Sequence, residues 1–228
     1  MTEVPQQSAG TQPPTPSDEP AIRSEVAKFR AWAERYPTED RYGEWECDYP
    51  GWPELHSAFI DYMDATPTAE LQSEVVADLI YAIARDNEIS YLASQLGQRP
   101  VHLLRLLPHV LISEEPDARW QIAAQLGKRA LPIETAEPAL IKLVADQDEY
   151  VRRIALQALG GIDSPHTEHF CGQAWESGHE YQRIMALCVL HTIGSRQLDR
   201  YLALARDDGR EYLRMNVDRI ERESQRPD

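Results

Sequence analysis

Asp146-Gln147-Asp148-Glu149-Tyr150-Val151-Arg152-Arg153-Ile154-Ala155-Leu156-Gln157-Ala158-Leu159-Gly160 decides the fold. Val151, Ile154, Ala155, Ala158 and Leu159 fall at i, i+3, i+4, i+7 and i+8, which puts one apolar stripe on a helix. Asp146-Gln147-Asp148 reads as the turn before it, and Gly160-Gly161 as its stop. Upstream, Pro138 opens a first helix lined by Ala139, Leu140, Leu143 and Val144. Downstream, Ser164-Pro165 reads as an N-cap followed by proline at the first helical position, the start of another helix. The unit is a helix pair.

The unit recurs. Glu149-Tyr150-Val151-Arg152 returns as Glu180-Tyr181-Gln182-Arg183 and again as Glu211-Tyr212-Leu213-Arg214, with the same spacing both times. A degenerate copy, Pro116-Asp117-Ala118-Arg119, sets Arg119 close to one period before Arg152. Gln95-Leu96-Gly97-Gln98-Arg99 echoes one period later in Gln125-Leu126-Gly127-Lys128-Arg129. A period of roughly 30 residues means stacked supersecondary units, each covering its apolar face with its neighbours. Residues 137-165, through Asp146, Asp148, Val151, Arg152, Ala155, Leu159 and Gly160, resemble a HEAT repeat of the short type found in phycobilisome-lyase-like proteins. Residues 112-129, 178-194 and 208-222 match in part, and residues 21-86 hardly at all. The resemblance implies an all-α, right-handed α-solenoid of about five HEAT-like helix pairs with a concave face. It carries no lyase activity with it, because the repeat is widely reused.

Helical stripes extend the pattern toward the start of the chain. Ile22, Val26, Phe29 and Ala33 form one, and Trp52, Leu55, Phe59, Ile60 and Met63 another, with Pro53 in its first turn. Leu71, Val75, Val76, Leu79, Ile80 and Ile83 form a third, entered through Thr66-Pro67. The expected organisation is a Pro-rich, disordered tail over residues 1-20 and one solenoid domain over 21-224. That domain divides into divergent helices at 21-86, which carry an acidic aromatic loop at 37-52, and repeats at 87-224. The tail lacks the basic and apolar regions of a secretory signal.

The 228 residues hold 23 Lys and Arg against 38 Asp and Glu, a net charge of -15. That sign repels a phosphate backbone and an anionic membrane, so neither nucleic acid nor membrane is expected as a partner. Three distant cysteines, Cys47, Cys171 and Cys188, form no disulfide framework, which points to a reducing, cytoplasmic setting. The charge is uneven. Residues 37-64 hold eight acids against one base, Arg41, and six of the eighteen aromatics. Between Tyr42 and Trp52, large rings alternate with carboxylates. One reading tucks the loop against the first helices, its rings filling the end of the solenoid. The other makes it a docking surface, where Trp45, Tyr49 and Trp52 anchor a basic protein while Glu44, Glu46 and Asp48 mimic phosphates.

The repeated residues admit two readings as well. Arg119, Arg152, Arg183 and Arg214 are expected to bond acids or turn carbonyls of neighbouring units, with Asp146, Asp148 and Asp208 available, rather than to form a ligand-reading ladder. Tyr150 and Tyr181, with Trp120 and Arg153, are candidate partner contacts as well as candidates for packing between units. Glu149, Glu180 and Glu211 stand in first helical turns, where the helix dipole favours an anion.

No phosphate loop, nucleophile elbow, CxxC or HExxH motif occurs, and His166, His169 and Cys171 do not share one helix face. No cofactor, metal or catalysis is expected. The favoured function is protein binding by a monomeric chain, in the specific form of a small bacterial immunity-type inhibitor that occludes a basic toxin or nuclease. Two alternatives stand beside it. One is an enzyme or accessory protein in the glycosylase or lyase manner, with a groove around Trp120 and Arg153, although DNA glycosylases resembling HEAT arrays use a basic groove. The other is an assembly scaffold.

Overall fold

A computed structural model describes residues 19-67, 71 and 73-224, so most of the expected tail lies outside the described residues. Twelve α-helices and two short 3-10 turns follow one another, with no strand among the described residues. In chain order the helices are α1 (Ala21–Ala33), α2 (Trp52–Ala65), α3 (Ser73–Arg85), α4 (Tyr91–Gly97), α5 (Pro100–Val110) and α6 (Pro116–Gly127). They continue with α7 (Ile133–Leu143), α8 (Glu149–Gly161), α9 (Thr167–Glu176), α10 (Glu180–Thr192), α11 (Leu198–Asp208) and α12 (Glu211–Ser224). The 3-10 turns, Thr38–Asp40 and Trp45–Asp48, lie between α1 and α2.

The second helices form one continuous row. α3 packs on α6, α6 on α8, α8 on α10 and α10 on α12, while α7, α9 and α11 each lie against a second helix. This stacking of helix pairs is an α-solenoid. On α8 the apolar stripe is what the neighbours cover, with Val151, Ala155, Ala158 and Leu159 buried. Buried side chains form two blocks. One runs from Ile22 to Ile162, the other from Leu156 through Cys171 and Trp175 to Ile220, and Val144 and Phe170 touch both.

Several local expectations change. α7 starts at Ile133 rather than at Pro138, which sits inside it. α9 starts at Thr167, and Pro165 belongs to the preceding turn, where Ser164 Oγ accepts from His166 N. α8 does stop at Gly160-Gly161, and the left-handed residue after it is Asp163, φ 56°. Glycine also serves helix packing. A Cβ on Gly127 would stand 2.7 Å from Ala158 Cα, and one on Gly161 would stand 2.6 Å from the Gly127 carbonyl oxygen. The absence of side chains there is what lets α6 and α8 cross so closely. On α4, a Cβ on Gly97 would stand 2.8 Å from Gln125 Oε1, the end of a side chain rather than backbone.

Candidate functional site

The arginines join the units. Arg119 Nε and Nη2 donate to Asp146 Oδ2 and Oδ1 at 2.7 and 3.0 Å, and its Nη1 donates to the Ser113 carbonyl at 2.6 Å. Arg183 repeats the arrangement, with Nε on the Trp175 carbonyl at 2.9 Å and Nη1 on Asp208. Each thus holds a carbonyl near its own turn and a carboxylate of the next. Arg152 reaches only its own turn, the carbonyls of Asp146 and Gln147, because Ser177 takes the place of Asp146 in the following unit and offers no carboxylate. Arg214 is exposed, beyond the last junction. Asp148 serves α8 instead, accepting from Tyr150 N and Val151 N as its N-cap.

A second clasp was not expected. Ser164 Oγ donates to Glu137 Oε1, and Ser195 Oγ donates to Glu168 Oε1, both across the same sequence separation. Glu168 stands one repeat after Glu137, and Ser195 one repeat after Ser164, so the period held the signal. Hydrogen bonds from Ser195 and Gln197 hold the Glu168 carboxyl below its usual range. Glu149 and Glu180 also do more than answer the helix dipole. Gln182 Nε2 donates to Glu149 Oε1 at 3.1 Å, and Leu213 N donates to Glu180 Oε1 at 3.2 Å, each bond crossing to the next unit.

The loop at 37-52 turns inward. Glu46 is only 5% exposed and Tyr49 only 7%, so neither stands out from the surface as an anchor or a phosphate mimic would. Tyr49 meets Phe29 edge-on, ring centroids 4.8 Å apart, and Trp45 stacks on Trp32 at 5.5 Å with 6° between planes. Trp52 is half-buried, its Nε1 donating to the Glu46 carbonyl at 2.8 Å. The physical reason is area: so many rings stabilise the chain more by covering the end of the core than by facing water. Glu44 and Asp48 do face solvent. Burial pushes the Glu46 carboxyl up, and its own backbone N–H and then Arg85 offset that only in part.

Trp120, Tyr150, Arg153 and Tyr181 come together. Trp120 meets Tyr150 edge-on at 5.2 Å, with its Nε1 donating to Asp117 Oδ1. The Arg153 guanidinium lies 4.8 Å from the Tyr150 ring and 5.1 Å from the Tyr181 ring, held by Glu149. Tyr150, Tyr181 and Tyr212 are 40%, 47% and 56% exposed. The period of the sequence therefore writes an exposed tyrosine at the start of α8, α10 and α12; α6 has Asp117 at that place, and half-buried Trp120, which aligns with Arg153, joins the row from three positions further along the repeat. Each tyrosine is preceded by a glutamate.

Cys171 is buried in the second core block, which pushes its thiol up to about 12, and His169 Nε2 lies 3.1 Å from Gln173 Nε2. Among the described residues, no three His, Cys, Asp or Glu side chains converge as a metal site requires, and no helix is long and apolar enough to cross a membrane.

No curated protein matches the chain in sequence. The family model of HEAT repeats matches twice, over residues 100–167 and 136–217, the stretch in which the second helices stack and the arginine clasps recur. Stacked repeats of this kind generally mediate protein-protein interaction through their extended surfaces. The two matches together reach from 100 to 217, more than half of the sequence, and the chain belongs to the HEAT-repeat family.

Proposed function

We propose that the chain is a non-catalytic binding module for a basic protein, and that it makes contact through the row Trp120, Tyr150, Arg153 and Tyr181. The observation that carries this is the exposure of one tyrosine per repeat in register, with Arg153 fixed between two of them. Rings and arginine held in place supply contact area at low entropic cost, the make-up of interface hot spots. The glutamates beside the rings and the net charge of -15 supply attraction to a cationic surface and a faster encounter. In its specific form the module is an immunity-type inhibitor that occludes a basic toxin or nuclease. Glu44 and Asp48 then steer the partner, and the rings of Trp45 and Tyr49 support the fold rather than the contact.

The test is capture of partners on the full chain, then association kinetics with the captured protein. A basic partner whose affinity falls at least about tenfold on Tyr150→Ala with Tyr181→Ala, and whose on-rate falls as salt rises, supports the proposal. Unchanged affinity in that variant removes the row as the contact.

A further inference from the structure

Beside the inward-turned loop, a cavity of about 210 Å³ lies between the Trp45–Asp48 turn, α2 and the α3–α4 junction. Trp52 and His56 form one wall, their rings 5.2 Å apart, and Ile89, 67% exposed, stands at the lip. Glu46 lines the cavity from its buried side. Its Oε2 meets no hydrogen-bond donor among the described residues, and the nearest cation to its Oε1, Arg85 Nη1, is 3.9 Å away. Arg85 is itself committed to Glu115. His56 Nε2 lies 3.4 Å from Asp86 Oδ1 without a hydrogen bond among the described residues, and Asp86 accepts from Leu92 N. A buried carboxylate left with so little compensation is costly, and folded proteins keep few of them. At the exposed rim the carboxyls of Glu44 and Glu88 lie side by side, and the hydrogen bond between them raises the Glu88 carboxyl from its ordinary value.

Size and chemistry narrow the occupant. Pockets for drug-sized ligands start at roughly 300 Å³, so this cavity suits a single long side chain. Its acids disfavour an anion, and a purely apolar side chain would leave Glu46 unserved. We infer that the cavity receives one lysine or arginine side chain of a basic protein, its aliphatic stem against Trp52 and Ile89 and its cationic head between Glu46 and Glu88. This rests on the proposed function and locates a point where the partner's charge is read. The cavity is linked to the ring row through the start of α6: Arg85 bonds Glu115, and Asp117 in the same turn bonds Trp120.

The experiment follows the Trp52 indole N–H resonance of the full chain during titration with N-acetyl-lysine methylamide and N-acetyl-arginine methylamide, with the norleucine analogue as the uncharged control. The expected result is a saturable shift with a cationic probe, at least about tenfold weaker with norleucine and about tenfold weaker in Glu88→Gln. Glu46→Gln, checked for folding by thermal melting, behaves like Glu88→Gln. Equal response to norleucine, or no response to either cation, overturns the inference. Undiminished binding of a basic partner to the Glu46→Gln, Glu88→Gln double variant also overturns it while leaving the proposed function intact. Cationic probes that bind where no basic protein does support the cavity and remove the proposed function.

Discussion

Arg119 grips both carboxylate oxygens of Asp146, joining the start of α6 to the turn that precedes α8. Both side chains are nearly withdrawn from solvent, so each depends on the other for its charge compensation. Asp146→Ala is expected to cost about 2 kcal/mol in urea unfolding, the range for a charged group left without its bond. Arg119→Lys fares little better, because an ammonium cannot make the forked contact. A loss below about 0.5 kcal/mol for Asp146→Ala would show that the clasp adds nothing to the stack.

Gly127→Ala places a methyl against the α8 backbone at Ala158. Backbone cannot rotate aside as a side chain can, so α6 and α8 must separate. The expected loss is about 1–3 kcal/mol despite the better helix propensity of alanine, read as a lower melting temperature. An unchanged or higher melting temperature would mean that the crossing is looser than 2.7 Å implies.

Asp208 accepts from Arg210 and from Arg183, which draw its carboxyl from 3.8 down to about 2. Its folded value lies below its unfolded value, so the stabilisation is present above about pH 4 and disappears as pH falls through about 2. The stability gap between the wild type and Asp208→Asn should therefore be wide at about pH 6 and closed near about pH 2. A gap of constant width would assign the effect to packing.

Glu46 has the opposite sign. Burial raises its carboxyl, so the folded state holds its proton more tightly than the unfolded state and loses stability as pH rises above the ordinary carboxylate range. Glu46→Gln is expected to raise the melting temperature at neutral pH, whereas Glu44→Lys with Asp48→Lys, both at exposed positions, leaves it nearly unchanged. A destabilised Glu46→Gln at neutral pH would mean that the Arg85 contact outweighs desolvation.

The solenoid was legible because its signal is periodic: Glu-Tyr-x-Arg at 149, 180 and 211 marks the second helices, and the turn acids Asp146 and Asp208 mark where the arginines bond. The tyrosines of the ring row were legible for the same reason. What failed was local. Pro138 reads as a helix start, yet α7 begins at Ile133 with Pro138 inside it, and Gly160-Gly161, which does end α8, also admits α6. The loop misled because composition gives no direction to a side chain. Glu44, Glu46 and Asp48 alternate in sequence, yet a 3-10 turn at Trp45–Asp48 points Glu46 inward between two exposed acids. The cavity was invisible, since it joins Glu46, Trp52 and Glu88, which no single period relates.

The division of the core at α8 has a dynamic consequence. Two blocks in series, each stabilised by nearest neighbours, need not open together. The block ending at Ile220 is the smaller, so amides of α11 and α12 should exchange with solvent before those of α3 and α6. Tyr150 and Tyr181 stand on either side of that division. A protein laid across both rings therefore acts as a splint, and its arrival is readable as slowed exchange far from where it touches.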